Sequence, residues 1–287
     1  MANYQIITDS CCDLPQEMLE KLNLEVTPLS MLFRGETVQD SVSGDIKTFY
    51  DALRNGEAAS TSAVNPEGWA AVIEPVVKEG KDALVIAFSS GLSTTYQSAV
   101  IAANELMERY PGRKVNVVDS LCASLGQGLL VWYACKKRAA GMSVDEVAAW
   151  VEENKLHVCH WVTVDDLSHL KRGGRISATT ALVGTMLNIK PVIYVNDEGK
   201  LINTAKVRGR KVAIEYLAKK LGETGPGYDN ETVFIAHGDC HEDAETLANL
   251  VKEQYGVKNV ITGYVGPVLG AQPGPGVLVL FYMGQHR

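Results

Sequence analysis

Short apolar, β-branched runs alternate with helix-patterned segments along most of the chain, and that alternation admits few folds. The runs are Tyr4–Ile7, Leu84–Phe88, Val115–Val118, Val162–Val164, Val192–Val195, Val233–Ala236, Val260–Thr262 and Val277–Phe281, each of which reads as a strand. Between them, Asp13 is placed to cap a helix through Glu17, Leu19 and Leu22. Ser143 and Glu146 form a capping-box signature, with Val144, Val147, Ala148 and Val151 following at helical spacing. Ala244, Leu247, Ala248 and Val251 repeat the helical pattern near the end. Strands alternating with amphipathic helices predict an α/β fold with mainly parallel sheets. The 287 residues are enough for two domains. The expected boundary lies near residues 155–160, dividing the chain into 1–157 and 158–287.

Charge excludes some functions. Lys and Arg number 27 against 34 Asp and Glu, a net charge of −7, where a nucleic-acid binder normally carries a basic face. No apolar run approaches the ~18–20 residues that span a bilayer, and the opening MANYQIITDS lacks the pattern of a secretory signal. A soluble, cytoplasmic protein is expected. None of the six cysteines forms a CxxC pair, so buried, reduced thiols are expected. His157 and His160 lie in a stretch that alternates like a strand, where positions three apart face opposite ways, and no carboxylate cluster accompanies them or His237 and His241. No metal site is predicted.

The most informative pattern is the placement of serine and threonine. The first strand runs into Thr8-Asp9-Ser10, the second into SSGLSTTYQSA (89–99), which contains Ser90, Ser93 and Thr94, and the third into Asp119-Ser120. Thr61-Ser62 falls in a segment read as a loop before Asn65-Pro66. In an open parallel sheet, ligands bind outside the carboxyl ends of the strands. Small hydroxyls beside a helix start near Ser93–Tyr96 suit an anionic oxygen. Equally, such residues cap helices and close turns; it is their gathering at one edge that points to a ligand.

No GxxxxGK[ST] loop, no GxGxxG after the first strand and no GxSxG elbow is present. His237 is the remaining candidate base for a hydrolase that would use Ser93. In the second half, LSHLKRGGRIS (167–177) gathers Lys171, Arg172 and Arg175; LNIKPVI (187–193) and AKVRGRKVA (205–213) add further cations, among them Arg208. These form either a solvated face or a patch for a phosphate or an acidic partner. GPVLGAQPGPG then places a tight turn before the last strand.

Taken together, Thr8-Asp9-Ser10, Pro28-Leu29-Ser30, Thr61-Ser62, SSGLSTTYQSA, Asp119-Ser120, LKRGGRIS, IKPVI, Lys206-Val207-Arg208 and GPVLGAQPGPG resemble, in order, the DegV family. These are bacterial fatty-acid-binding proteins that serve as lipid-carrying subunits of fatty acid kinase. The resemblance implies two α/β domains with a ligand tunnel between them, the acyl chain inside and the carboxylate held by Thr61, Ser62 and Ser93. It implies Ser10, Ser90, Thr94, Ser120 and Gln272 as further lining residues. Arg172, Arg175 and Arg208 would serve kinase docking or head-group electrostatics. It implies no cofactor and no catalysis by this chain; the partner, a dihydroxyacetone-kinase-like subunit, supplies ATP and forms the acyl phosphate. Three departures stand out: the usual TSQP is Thr61-Ser62-Ala63-Val64, Thr94 replaces a common glycine, and Gln272 stands where relatives have a histidine. The alternatives are a stand-alone serine hydrolase, using Ser93 with His237, and a binder of another amphipathic anion.

Overall fold

The computed structural model describes residues 3–40, 45–165, 167–176 and 188–287. Ser177, which ends LKRGGRIS, and Leu187, which begins LNIKPVI, lie outside the described residues. The strands are β1 (Tyr4–Asp9), β2 (Glu25–Thr27), β3 (Ser30–Phe33), β4 (Glu36–Gln39), β5 (Ala59–Ser62), β6 (Asp82–Ala87), β7 (Val115–Asp119), β8 (Val158–Thr163), β9 (Ile189–Val195), β10 (Leu201–Arg208), β11 (Thr232–His237), β12 (Asn259–Tyr264) and β13 (Leu278–Met283). They form three sheets: a first ordered β2-β1-β6-β7, a second ordered β10-β9-β8-β13-β11-β12, and a small one ordered β4-β3-β5.

The first sheet is parallel throughout. Its central strands are apolar on both faces because both faces are covered. Ile6, Leu84 and Ile86 point into one core, toward the helices Leu125–Ala139 and Val144–Asn154. Ile7, Val85 and Ala87 point into the other, beneath the helices Pro66–Lys78 and Thr95–Arg109. Trp69 anchors that second layer, fully buried, its indole N–H donating to the Thr95 carbonyl at 3.0 Å. The helix Val144–Asn154 carries the expected capping box between Ser143 and Glu146. Replacing Ser143 by alanine is expected to cost about 1 kcal/mol, read as a lower urea midpoint with unchanged slope. Asp13, by contrast, does not cap the helix Gln16–Lys21, whose N-cap is Pro15; it ends the 3-10 turn Ser10–Cys12, its N–H donating to Ser10 O. The carboxylate of Asp13 instead accepts from Ser124 Oγ and the Gly266 N–H.

The second sheet departs from the parallel expectation. Only β11 and β12 pair parallel; the β10–β9, β9–β8, β8–β13 and β13–β11 pairs are antiparallel. The reason lies in the connections. The short turn 196–200 between β9 and β10 can only reverse the chain, whereas β11 reaches β12 through the helix His241–Tyr255, the long crossover that parallel pairing needs. The helices Arg210–Thr224 and His241–Tyr255 cover one face of this sheet. Leu125–Ala139 covers the other, so that helix lies between the two large sheets and is buried continuously from Leu125 to Val131. Gly126 makes the close approach possible, since a methyl group there would meet His160 Nε2 at 2.2 Å.

The small sheet β4-β3-β5 is antiparallel. It corrects the placement of Thr61-Ser62, which sit on β5, paired with Met31 and Ser30, and not in a loop.

Candidate functional site

Because β1, β6 and β7 run parallel, their carboxyl ends deliver three loops to one edge. Aspartates hold these loops by their backbone. Asp9 accepts from the N–H groups of Cys11 (3.1 Å) and Phe88 (2.7 Å). Asp119 accepts from Ser90 N and Leu121 N, both at 3.1 Å. Asp40 accepts from Val268 N (3.0 Å) and Ser10 Oγ (2.8 Å), and Ser10 in turn accepts from Leu29 N. Asp13 fastens Gly266 on the segment leading to Gln272. Asp9, Asp13 and Asp40 are all buried. Burial pushes the Asp13 and Asp40 carboxyls upward and Asp9 to about 7, against the lowering effect of the N–H donors.

These loops and the inner face of the second sheet enclose a cavity of about 530 Å³. Thr61 and Ser62 from β5, Ser90, Ser93 and Thr94 from the loop after β6, and Gln272 supply polar groups to it. Gln272 Nε2 donates to Thr61 Oγ1 at 3.4 Å, while its Oε1 is buried without a hydrogen-bond partner. Ser93 Oγ accepts from Thr95 N at 3.2 Å and shares a hydrogen bond with Thr95 Oγ1 at 2.8 Å, closing the turn that starts the helix Thr95–Arg109. Apolar side chains complete the wall: Val162 from β8, Ile193 and Val195 from β9, Leu201 from β10, and Val279 and Phe281 from β13. The arrangement is a mainly apolar chamber with hydroxyls and the two amides of Gln97 and Gln272 on part of its wall, the form that holds an amphipathic molecule with a polar end.

The structure thus brings together Thr61, Ser62, Ser90, Ser93, Thr94, Gln272 and Arg175, and Arg175 is the only Lys or Arg among the described lining residues. Ser10 and Ser120 do not line the cavity. Ser10 bridges Asp40 and Leu29, and Ser120 closes its own turn, accepting from Cys122 N at 3.1 Å. Arg172 lies in an adjoining groove that shares Thr61, Arg175 and Gln272 with the cavity. Arg208 is exposed at the end of β10. His237 is absent from the lining, and its Nδ1 faces the Cys240 N–H at 3.4 Å. Burial holds it down to about 4, and it is not set against Ser93 as a base.

Three polar lining residues, Gln97, Ser124 and His160, are not among the site residues predicted from sequence. His160 is buried in the wall, its Nε2 accepting from Ala123 N at 3.2 Å and its Nδ1 2.9 Å from the Val158 carbonyl. Burial lowers it to about 3, so the ring is neutral and costs little beside an apolar ligand. A histidine on the inward-facing register of β8 was the available signal. Among the described residues, no helix is long and apolar enough to cross a membrane, and no group of three His, Cys, Asp or Glu is placed to hold a metal ion.

Comparison with known proteins adds to this geometry. A family model described as "Uncharacterised protein, DegV family" matches residues 3–285. A DegV domain-containing protein of Clostridium perfringens is 45% identical over 289 residues, covering 100% of this chain and 99% of the relative. A solved structure described as fatty acid binding of a DegV family protein, from Thermus thermophilus, superposes with a TM-score of 0.88 at 30% identity, covering 98% of this chain and 99% of that one. A stearic acid-binding protein of Eubacterium ventriosum gives a TM-score of 0.88 at 26% identity, covering 98% of each.

Proposed function

This chain belongs to the DegV family, and from that premise we propose that it binds one long-chain fatty acid, without catalysing a reaction on it. The carboxylate lies against Thr61, Ser62 and Ser93, with Ser90, Thr94, Gln272 and Arg175 nearby, and the acyl chain lies along the wall from β8, β9 and β13. In this reading, residues 1–157 carry the head-group hydroxyls, and residues 158–287 cover the chain and add Gln272 and Arg175 near the head group. One observation carries it: a mainly apolar cavity gathers hydroxyls from β5, from the segment leading into the helix Thr95–Arg109 and from Ser124. Neutral hydroxyls and backbone N–H groups hold a carboxylate without the desolvation cost of a buried ion pair. Each buried methylene adds ~0.8 kcal/mol, enough for affinity with no catalytic apparatus.

The same reading extends to presentation. The bound acid would be offered to a dihydroxyacetone-kinase-like partner, which supplies ATP and converts the carboxylate to an acyl phosphate. Arg172 beside the cavity and the exposed Arg208 are the cations available for that docking. Six unpaired cysteines, five of them buried, fit a reducing cytoplasm.

Native mass spectrometry of the purified protein, followed by extraction of the bound molecule, tests the binding step. A stoichiometric fatty acid is the expected result. Protein that neither carries nor takes up palmitate or oleate would overturn the reading. Presentation is checked separately, by hydroxylamine trapping of acyl phosphate when ATP, loaded protein and the partner kinase are combined.

A further inference from the structure

The loop that carries Ser90, Ser93 and Thr94 is not fixed by its own sheet alone. The turn 196–200, at the tip of the β9–β10 hairpin in the other large sheet, sits directly on it. Ser89 Oγ donates to the Gly199 carbonyl at 2.9 Å, and Ser89 is fully buried. Two glycines meet at this contact. A methyl group on Gly91 would stand 2.4 Å from the Glu198 carbonyl oxygen and 2.8 Å from Gly199 C and O, all backbone atoms. A methyl group on Gly199 would stand 2.0 Å from Ser89 Oγ.

The turn itself is built stiffly. Asn196 Oδ1 accepts from the N–H groups of Glu198 (3.1 Å) and Lys200 (2.9 Å), and Gly199 N donates to Asn196 O at 2.8 Å. Arg287 ties it to the loop after β7, donating from Nη1 to both Asn196 O (3.1 Å) and Leu121 O (2.6 Å). A rigid piece of one sheet therefore sets the backbone position of a loop belonging to the other. That loop is also where Gly91 N donates to Ser89 Oγ, and Leu92 N and Ser93 N donate to Ser89 O.

We infer that the turn 196–200 is the latch that positions the head-group loop, with Ser89, Gly91 and Gly199 as positioning residues that do not themselves touch the ligand's carboxylate. The latch rests on the fatty-acid reading for its consequence, since it predicts how long a ligand stays. It stands apart from that reading for its mechanics.

Gly91→Ala wedges a methyl group against backbone at a position with ordinary φ, and Ser89→Ala removes both the bond to Gly199 O and the acceptor of Gly91 N without adding bulk, so in that variant it is the exchange at 197–200 that isolates the latch. For both, amide hydrogen exchange in residues 90–94 and 197–200 is expected to rise together, while exchange in β6 and β11 stays at the wild-type level. Palmitate dissociation is expected to quicken about tenfold for Gly91→Ala, and less for Ser89→Ala. Wild-type exchange at 90–94 in both variants overturns the latch whether or not any lipid binds. So does unchanged palmitate dissociation from variants of a wild-type protein that binds it. Failure of the wild type to take up palmitate strikes the fatty-acid reading instead, and the exchange measurement then decides the latch alone. Should Gly91→Ala not fold, Ser89→Ala carries both measurements.

Discussion

Palmitate affinity is expected to fall by about 10²–10⁴-fold when Thr61 and Ser93 are both changed to alanine, because a hydrogen bond to a charged acceptor contributes roughly 1.5–3 kcal/mol and two are lost. Both side chains line the cavity, but they arrive by different routes: Thr61 on β5 of the small sheet, Ser93 in the turn before the helix Thr95–Arg109. The single substitutions should not be equal. Thr61→Ala also removes the acceptor of the Gln272 amide, which then has neither its 3.4 Å partner nor one for its buried Oε1. Ser93→Ala loosens the turn that Ser93 Oγ closes on Thr95. Titration calorimetry with palmitate checks the affinity, and circular dichroism checks that the double variant is folded. Methyl palmitate is the control: it has no carboxylate, so wild type and double variant should bind it alike. Full palmitate affinity in a folded double variant would sink the carboxylate assignment.

The largest effect on stability is expected at Asp9. Its two oxygens accept from Phe88 N and Cys11 N in a fully buried setting. Asp9→Ala leaves both donors unpaired at about 1–3 kcal/mol each, so a loss of about 2–6 kcal/mol is expected, a large part of an ordinary domain's stability. Phe88 opens the loop that carries Ser90 and Ser93, so affinity should fall along with the urea midpoint. A midpoint equal to wild type would show that Asp9 holds nothing.

Asp9 also gives a pH signature of definite sign. Burial raises its carboxyl from 3.8 to about 7, opposed by the donors from Phe88, Gln127 and Cys11. A carboxyl raised in the folded state takes up a proton on folding, so its contribution to stability is greatest below 3.8 and is lost as pH rises toward 7. Asp9→Asn cannot ionise and should flatten the stability profile between those values. A profile parallel to wild type in urea unfolding across that window would refute the shift.

Much of the frame was legible because it rests on local rules. Strands such as Leu84–Phe88 and Val233–Ala236 are apolar on both faces and need no tertiary context to be seen. Five strands escaped notice, β2, β3, β4, β5 and β10: EVT on β2, ETVQ on β4 and ASTS on β5 are short and polar and bury little, and SMLF on β3 is only four residues long. β10 alternates half-buried Leu201, Ala205 and Val207 with exposed Ile202, Lys206 and Arg208, and its cations masked that period. The hydroxyl gathering was visible because three parallel strands end at one edge. The part played by the aspartates was not, since Asp13 and Asp40 serve backbone N–H groups more than 200 residues away in sequence. His160 lies against Gly126, where a methyl group would meet its ring, and that contact, like the lining it joins, depends on residues distant in sequence.

The hydroxyl rim and the greasy wall of the cavity come largely from different sheets, and this separates two traits that a lipid carrier must otherwise change together. On the proposed fatty-acid reading, changes at Ile193 or Val279 would alter the room for a tail from a different sheet than the one that holds Thr61. On that reading a lineage can diversify its choice of acid while its grip on the head group passes unaltered from ancestor to descendant.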